Sequence, residues 1–93
     1  MQITMEQLAA FKALAEMESF SRAAEKLFRT QPAVSQAIRS LENELGEPLF
    51  IRDGRKSTLT QAGRIFWVHA QEVFETLDQG RLRIEALKGL KTG

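Results

Sequence analysis

Three residues, Phe28, Arg29 and Thr30, are all that separate a short apolar-faced segment ending at Leu27 from a longer one beginning at Gln31. Two amphipathic helices joined by so tight a turn form a helix-turn-helix unit, and no other feature of the chain restricts its fold as strongly. The segment before the turn gathers Ala23, Ala24 and Leu27 on one face, with Ser19 or Ser21 available as its N-cap. The segment after it opens on Thr30 as N-cap, with Pro32 in the first turn, where a missing N–H costs nothing. It closes at Gly46, the natural residue for a left-handed stop. At about 100° per residue, Val34, Ile38, Leu41 and Leu45 share one narrow face, while Pro32, Ser35, Gln36, Arg39 and Asn43 gather on the other.

The flanking sequence completes a recognisable order. Thr4 with Gln7 makes a capping-box pattern, and Leu8, Phe11, Leu14 and Ala15 recur at helical spacing, which predicts a helix from Met5 to Met17. Pro48 stops helical continuation beyond Gly46. Leu49 to Arg52 and Ser57 to Leu59 then read as two short strands around a turn holding Asp53-Gly54. Thr60 caps a last helix from Gln61 to about Lys88. Along it Phe66, Ala70, Val73, Leu77, Gly80, Ile84 and Leu87 alternate spacings of four and three, the seam of a coiled coil. The predicted fold is mainly α: a winged helix-turn-helix of three helices and a two-stranded hairpin over residues 1–60, a long linker and dimerisation helix over 61–89, and a flexible tail over 90–93. The seam predicts a homodimer.

Composition removes most function classes. Ninety-three residues make one small domain. Without Cys there is neither a disulfide framework nor thiolate chemistry, and His69, the single His, has no second ligand at metal-binding spacing. Tyr, a glycine-rich phosphate loop and a G-x-S-x-G motif are also missing, so the sequence offers no enzyme chemistry and no cofactor is expected. The N-terminus lacks both a basic leader and an uninterrupted apolar run, which argues against a signal peptide or membrane span and for the cytoplasm. Glu72, Glu75, Asp78 and Glu85 are interspersed with the bases of the last helix, unlike a membrane-surface helix. Trp67 is expected to pack that helix onto the winged domain, although an indole can also stack on a base.

The net charge of +1 hides two basic islands. Arg22, Lys26, Arg29 and Arg39 stand against Glu25 alone between Ser21 and Arg39; Arg52, Arg55, Lys56 and Arg64 stand against Asp53 between Ile51 and Arg64. Such islands are either solvated faces or sites for a polyanion. The ordered blocks "SFSRAAEKL" (19–27), "QPAVSQAIRSLENELG" (31–46), "LFIR" (49–52) and "LTQAG" (59–63) decide the direction, because together they resemble the N-terminal DNA-binding domain of LysR-type transcriptional regulators over nearly the whole chain. Glu18 stands where that family often has Gly, Arg29 and Thr30 where a small apolar residue and Ser are common, and Gln36 where Arg is frequent.

The resemblance implies a bacterial regulator whose third helix enters the major groove of double-stranded DNA while the wing reaches the backbone or minor groove. It also implies that a small-molecule effector acts only through a C-terminal domain, which these residues do not include. The chemistry of the third helix agrees. Gln31, Ser35 and Gln36 both donate and accept, as base edges do, and Pro32 suits a thymine methyl. Arg39 can reach a guanine or a phosphate. Glu42 and Glu44 repel phosphates, so the N-terminal half of the helix is expected to enter the groove. Arg22, Thr30 and Arg52 are expected to position the backbone, and Arg55 and Lys56, at the wing tip, to approach the minor groove. The rival reading is a winged helix that only docks proteins; it calls for an apolar or acidic third-helix face, which Pro32, Ser35, Gln36 and Arg39 do not form. A homodimer on a pseudo-palindromic operator follows from seam and reading helix together.

Overall fold

Every helix begins where the sequence offers a capping side chain. In the computed structural model, which describes residues 2–92, the Thr4 hydroxyl accepts the Gln7 N–H at 3.1 Å while the Gln7 side chain accepts the Thr4 N–H at 3.0 Å, opening α1 (Met5–Met17). Ser19 caps α2 (Phe20–Leu27) by accepting the Arg22 N–H, and Thr30 caps α3 (Gln31–Leu45) by accepting the Ala33 N–H at 3.2 Å. Thr60 does two things at the start of α4 (Gln61–Thr92): its hydroxyl accepts the Gly63 N–H at 2.9 Å and donates to the Pro48 carbonyl at 2.7 Å. That second bond ties the helix to the segment entering the wing.

The first three helices each stop on a left-handed residue. Gly46 (φ 75) ends α3 as expected, but Glu18 (φ 57) and Phe28 (φ 54) end α1 and α2 with side chains that ordinarily avoid this region. The wing is an antiparallel hairpin of β1 (Phe50–Asp53), one residue later than expected, and β2 (Lys56–Leu59), which begins one residue earlier and ends as expected. Asp53 pairs with Lys56, so Gly54 and Arg55 form the turn itself, with Gly54 supplying the positive φ (63) at the first central position.

The core lies where α1 crosses α2 and α3. Phe11 is fully buried at its centre, 5.2 Å from the Phe66 ring, 5.5 Å from Phe50 and 6.1 Å from Trp67. The inward face of α3 supplies Val34, Ile38 and Leu41, the Ala23–Ala24 pair lets α2 approach closely, and Leu49 seals the wing side. Trp67 packs against this cluster.

Two expectations about α4 change. The coiled-coil seam divides: Phe66 lies against the chain's own core and Ala70, 2% exposed, belongs to it, whereas Val73, Leu77, Ile84 and Leu87 are exposed. One period serves both duties, since a helix must first seat on the domain before it projects beyond it. The helix also runs on to Thr92 instead of ending near Lys88, for the segment contains neither Pro nor a left-handed stop; of the expected tail, Gly93 lies outside the described residues. Along the projecting part the Arg81 guanidinium bridges Asp78 and Glu85, both at 2.8 Å, one turn away on either side. Those carboxylates, Asp78 first, hold its pKa above the ordinary arginine value. The molecule extends over 54 × 26 × 19 Å.

Candidate nucleic-acid interface

The outward face of α3 carries Gln31, Pro32, Gln36 and Arg39 in the open, with Ser35 half-buried beside them. Their side chains form one local network. The Arg39 guanidinium donates to Ser35 Oγ at 3.3 Å and to Gln36 Oε1 at 3.2 Å, and the Gln36 amide reaches Ser40 Oγ at 3.4 Å. Arg39 has five N–H donors, so these bonds leave it able to engage a guanine or phosphate as well. Thr30 spends its acceptor on capping, and its hydroxyl proton stays available as a donor.

The two acids of the C-terminal half are not simply a repulsive end. Glu42 turns its carboxylate inward to accept the Leu49 N–H at 2.7 Å, and Glu44 accepts the Gln2 N–H at 2.5 Å. Both anchor neighbouring chain to α3, a use that depends on the tertiary fold and leaves no mark in the local sequence.

The basic islands are sorted by pairing. Three of their cations are taken by carboxylates of α1 or its cap: Lys26 by Glu16 at 2.9 Å, Arg29 by Glu6 at 3.3 Å, and Lys56 by Glu18 at 3.4 Å. Among the described residues, Arg22 and Arg55 have no acidic partner. Arg64 donates to the Leu59 carbonyl at 3.4 Å. Arg52 lies with its guanidinium 5.1 Å from the centre of the Phe20 ring. Lys56 is therefore corrected in position: it opens β2 and leans back on α1, while Arg55 holds the turn. The pair is exposed on both sides and worth about 0–1 kcal/mol, so Lys56 is restrained weakly.

Glu18 grips the wing twice, since its carbonyl also accepts the N–H of Ser57, a buried polar residue, at 2.9 Å. Sequence reasoning gave no role to Phe28, whose ring is 96% exposed at the turn before α3. Its only local signal was an apolar side chain where a helix-ending left-handed residue was needed. His69 is exposed on α4 with Nδ1 3.9 Å from Glu72. Among the described residues no helix is long and apolar enough to cross a membrane.

The family model for bacterial regulatory helix-turn-helix proteins, lysR family, matches residues 5–64, from the start of α1 through the first turn of α4. The chain belongs to the LysR family. The LysR-type domain is 40% identical over its full 93 residues to the RuBisCO operon transcriptional regulator of Allochromatium vinosum, covering 31% of that protein. It is 42% identical over 90 residues to the HTH-type transcriptional activator CmpR of Synechocystis, covering 97% of this chain and 30% of CmpR. The chain thus spans less than a third of the length of these curated relatives. Among solved structures, this LysR-type fold is similar to Vibrio fischeri DarR in complex with DNA (TM-score 0.85, 34% identity, 97% of this chain and 31% of that one). It is similar also to the BenM_DBD/benA site 1 DNA complex (TM-score 0.83, 33% identity, 94% and 99%). The relatives are transcriptional regulators, not enzymes.

Proposed function

We propose that this chain is the DNA-reading part of a cytoplasmic LysR-type transcriptional regulator, binding double-stranded DNA sequence-specifically as a homodimer on a pseudo-palindromic operator. The observation that carries this reading is the exposed polar face from Gln31 to Arg39, in a chain whose Arg22, Arg52 and Arg55 have no carboxylate partner among the described residues, on a fold similar to domains solved in complex with DNA. In this reading α3 lies in the major groove. Gln31, Pro32, Ser35 and Gln36 meet base edges, and Arg39 reaches a guanine or a phosphate. Arg22, Thr30 and Arg52 hold phosphates, which sets the register without reading sequence. Arg55 enters the minor groove from the wing, with Lys56 joining once it leaves Glu18.

Residues 1–60 do the reading and the helix from Gln61 joins two copies through Val73, Leu77, Ile84 and Leu87, whose exposure leaves apolar surface to cover. Effector sensing falls outside these residues.

The test is selection from a randomised duplex pool at low and near-physiological salt. Two inverted half-sites enriched at a fixed spacing are expected. Binding at low salt alone, with no base enriched, would reduce the reading to phosphate contact, and no binding at all would favour a protein-docking winged helix. On the enriched duplex, Gln31→Ala should change the preferred bases, whereas Arg55→Ala should weaken all sequences and flatten the salt dependence by about one phosphate. Equal weakening of all sequences by both would refute the division of roles.

A further inference from the structure

Just before the first basic island, an aromatic ring rather than a carboxylate receives a cation of the second. Phe20 is the first residue of α2, half-buried with its ring packed against the core cluster. Arg52 sits mid-strand in β1, opposite Ser57, with an exposed side chain. The guanidinium carbon lies 5.1 Å from the ring centre, within the range in which a cation is attracted to the ring face. Every other tie on an island cation among the described residues uses an acceptor atom: Lys26, Arg29 and Lys56 face carboxylates, Arg39 faces Ser35 and Gln36, and Arg64 faces a carbonyl. Such acceptors compete with a phosphate for the same N–H groups. A ring face does not, because it attracts the charge through its π cloud and leaves the five N–H groups at the guanidinium edge open.

From this geometry we infer that Phe20 is a positioning residue for DNA binding, holding the Arg52 guanidinium beside the start of α2 with its donors unspent so that it meets a phosphate already oriented. The inference rests on the reading of Arg52 as a phosphate contact. A flexible arginine loses rotamer freedom when it docks, and a side chain already laid on a rigid ring has less to lose. Phe20 is well suited as the rigid partner, being fixed by the core on one side and one residue from the Ser19 cap on the other.

The experiment measures affinity for a mixed-sequence duplex across a salt series for the wild type, Phe20→Leu, Phe20→Tyr, Arg52→Ala and the double variant Phe20→Leu/Arg52→Ala. Arg52→Ala should weaken binding and lower the salt slope by about 0.9, one phosphate. Phe20→Leu keeps an apolar side chain but removes the π face, and should weaken binding roughly two- to fivefold. Phe20→Tyr should retain wild-type affinity. In the Arg52→Ala background Phe20→Leu should cost nothing further, which a merely structural role would not predict. The same loss in both backgrounds, or no loss in either, overturns the inference while leaving Arg52 as a phosphate contact. If Arg52→Ala itself changes neither affinity nor slope, the phosphate reading fails, and the DNA role of Phe20 fails with it. A variant that does not fold leaves the wild type decisive, because the ring must shift the Arg52 δ-methylene protons upfield in the proton spectrum. Unshifted protons there refute the stacking on which the inference stands.

Discussion

Replacing Leu77 and Ile84 together by Lys should turn the proposed homodimer into a monomer without unfolding it. Leu77 is 54% exposed and Ile84 58% exposed, because α4 has left the body of the domain by these turns. Full burial of a Leu or Ile side chain contributes about 1.5–3 kcal/mol, so a little over half of that, roughly 1 kcal/mol each, is still to be gained against a partner. Two such residues from each of two copies amount to about 4 kcal/mol, or roughly a thousandfold in the association constant. Lysine removes that gain and adds like charges across the contact. Sedimentation equilibrium over a range of concentrations reads the change directly, with helicity by circular dichroism as the check on folding. Ala70→Lys supplies the contrast: at 2% exposure it faces the chain's own core and should lower the melting temperature sharply. An association constant unchanged in Leu77→Lys/Ile84→Lys would refute the interface, and Ala70→Lys giving a stable monomer would mean that the two halves of the seam had been divided in the wrong place.

Two further substitutions probe how the wing and α4 are seated. A Cβ built at Gly63 would press on the Leu49 carbonyl oxygen and stand 3.0 Å from Leu59 Cδ2, so Gly63→Ala should destabilise by about 1–3 kcal/mol in urea or thermal melts, and an unchanged stability would show that α4 does not bear on the wing there. Glu18→Gly removes a left-handed side chain that costs about 1 kcal/mol and an exposed ion pair worth about 0–1 kcal/mol, so the variant should be as stable as the wild type or slightly more so. Lys56 is freed at the same time, and the salt dependence of DNA binding should steepen; a clear loss of stability would show that the Glu18 side chain is a structural clamp.

The helices and their caps were legible because their signals are local. Thr4, Ser19, Thr30 and Gly46 each act within a few residues, and the turn from Leu27 to Gln31 left one plausible arrangement for α2 and α3. The division of the seam was not legible: over two turns a heptad spacing and a core-facing stripe are the same pattern, and only the position of α1 tells Phe66 and Ala70 from Leu77 and Ile84. At the candidate interface, charge was visible and its pairing was not. Lys26 meets Glu16, Arg29 meets Glu6 and Lys56 meets Glu18 across separations that depend on the finished fold, and Arg52 finds the Phe20 ring in the same way. Counting net charge therefore overstated how much of each island is open to a polyanion.

The bonds that Arg39 makes to Ser35 and Gln36, with Gln36 continuing to Ser40, bear on how forgiving the helix is as a reader. A side chain stranded against the wrong base is penalised by about 1–3 kcal/mol when nothing else can satisfy it. Three of the residues proposed to read bases, Ser35, Gln36 and Arg39, would escape that penalty, because each can fall back on its neighbour, and a mismatch would then cost only the difference between two satisfied arrangements. Gln31 has no such refuge among the described residues. If α3 reads bases as proposed, its natural vocabulary is a loose set of related sites rather than one spelling, strict at Gln31 and tolerant along the turn that follows.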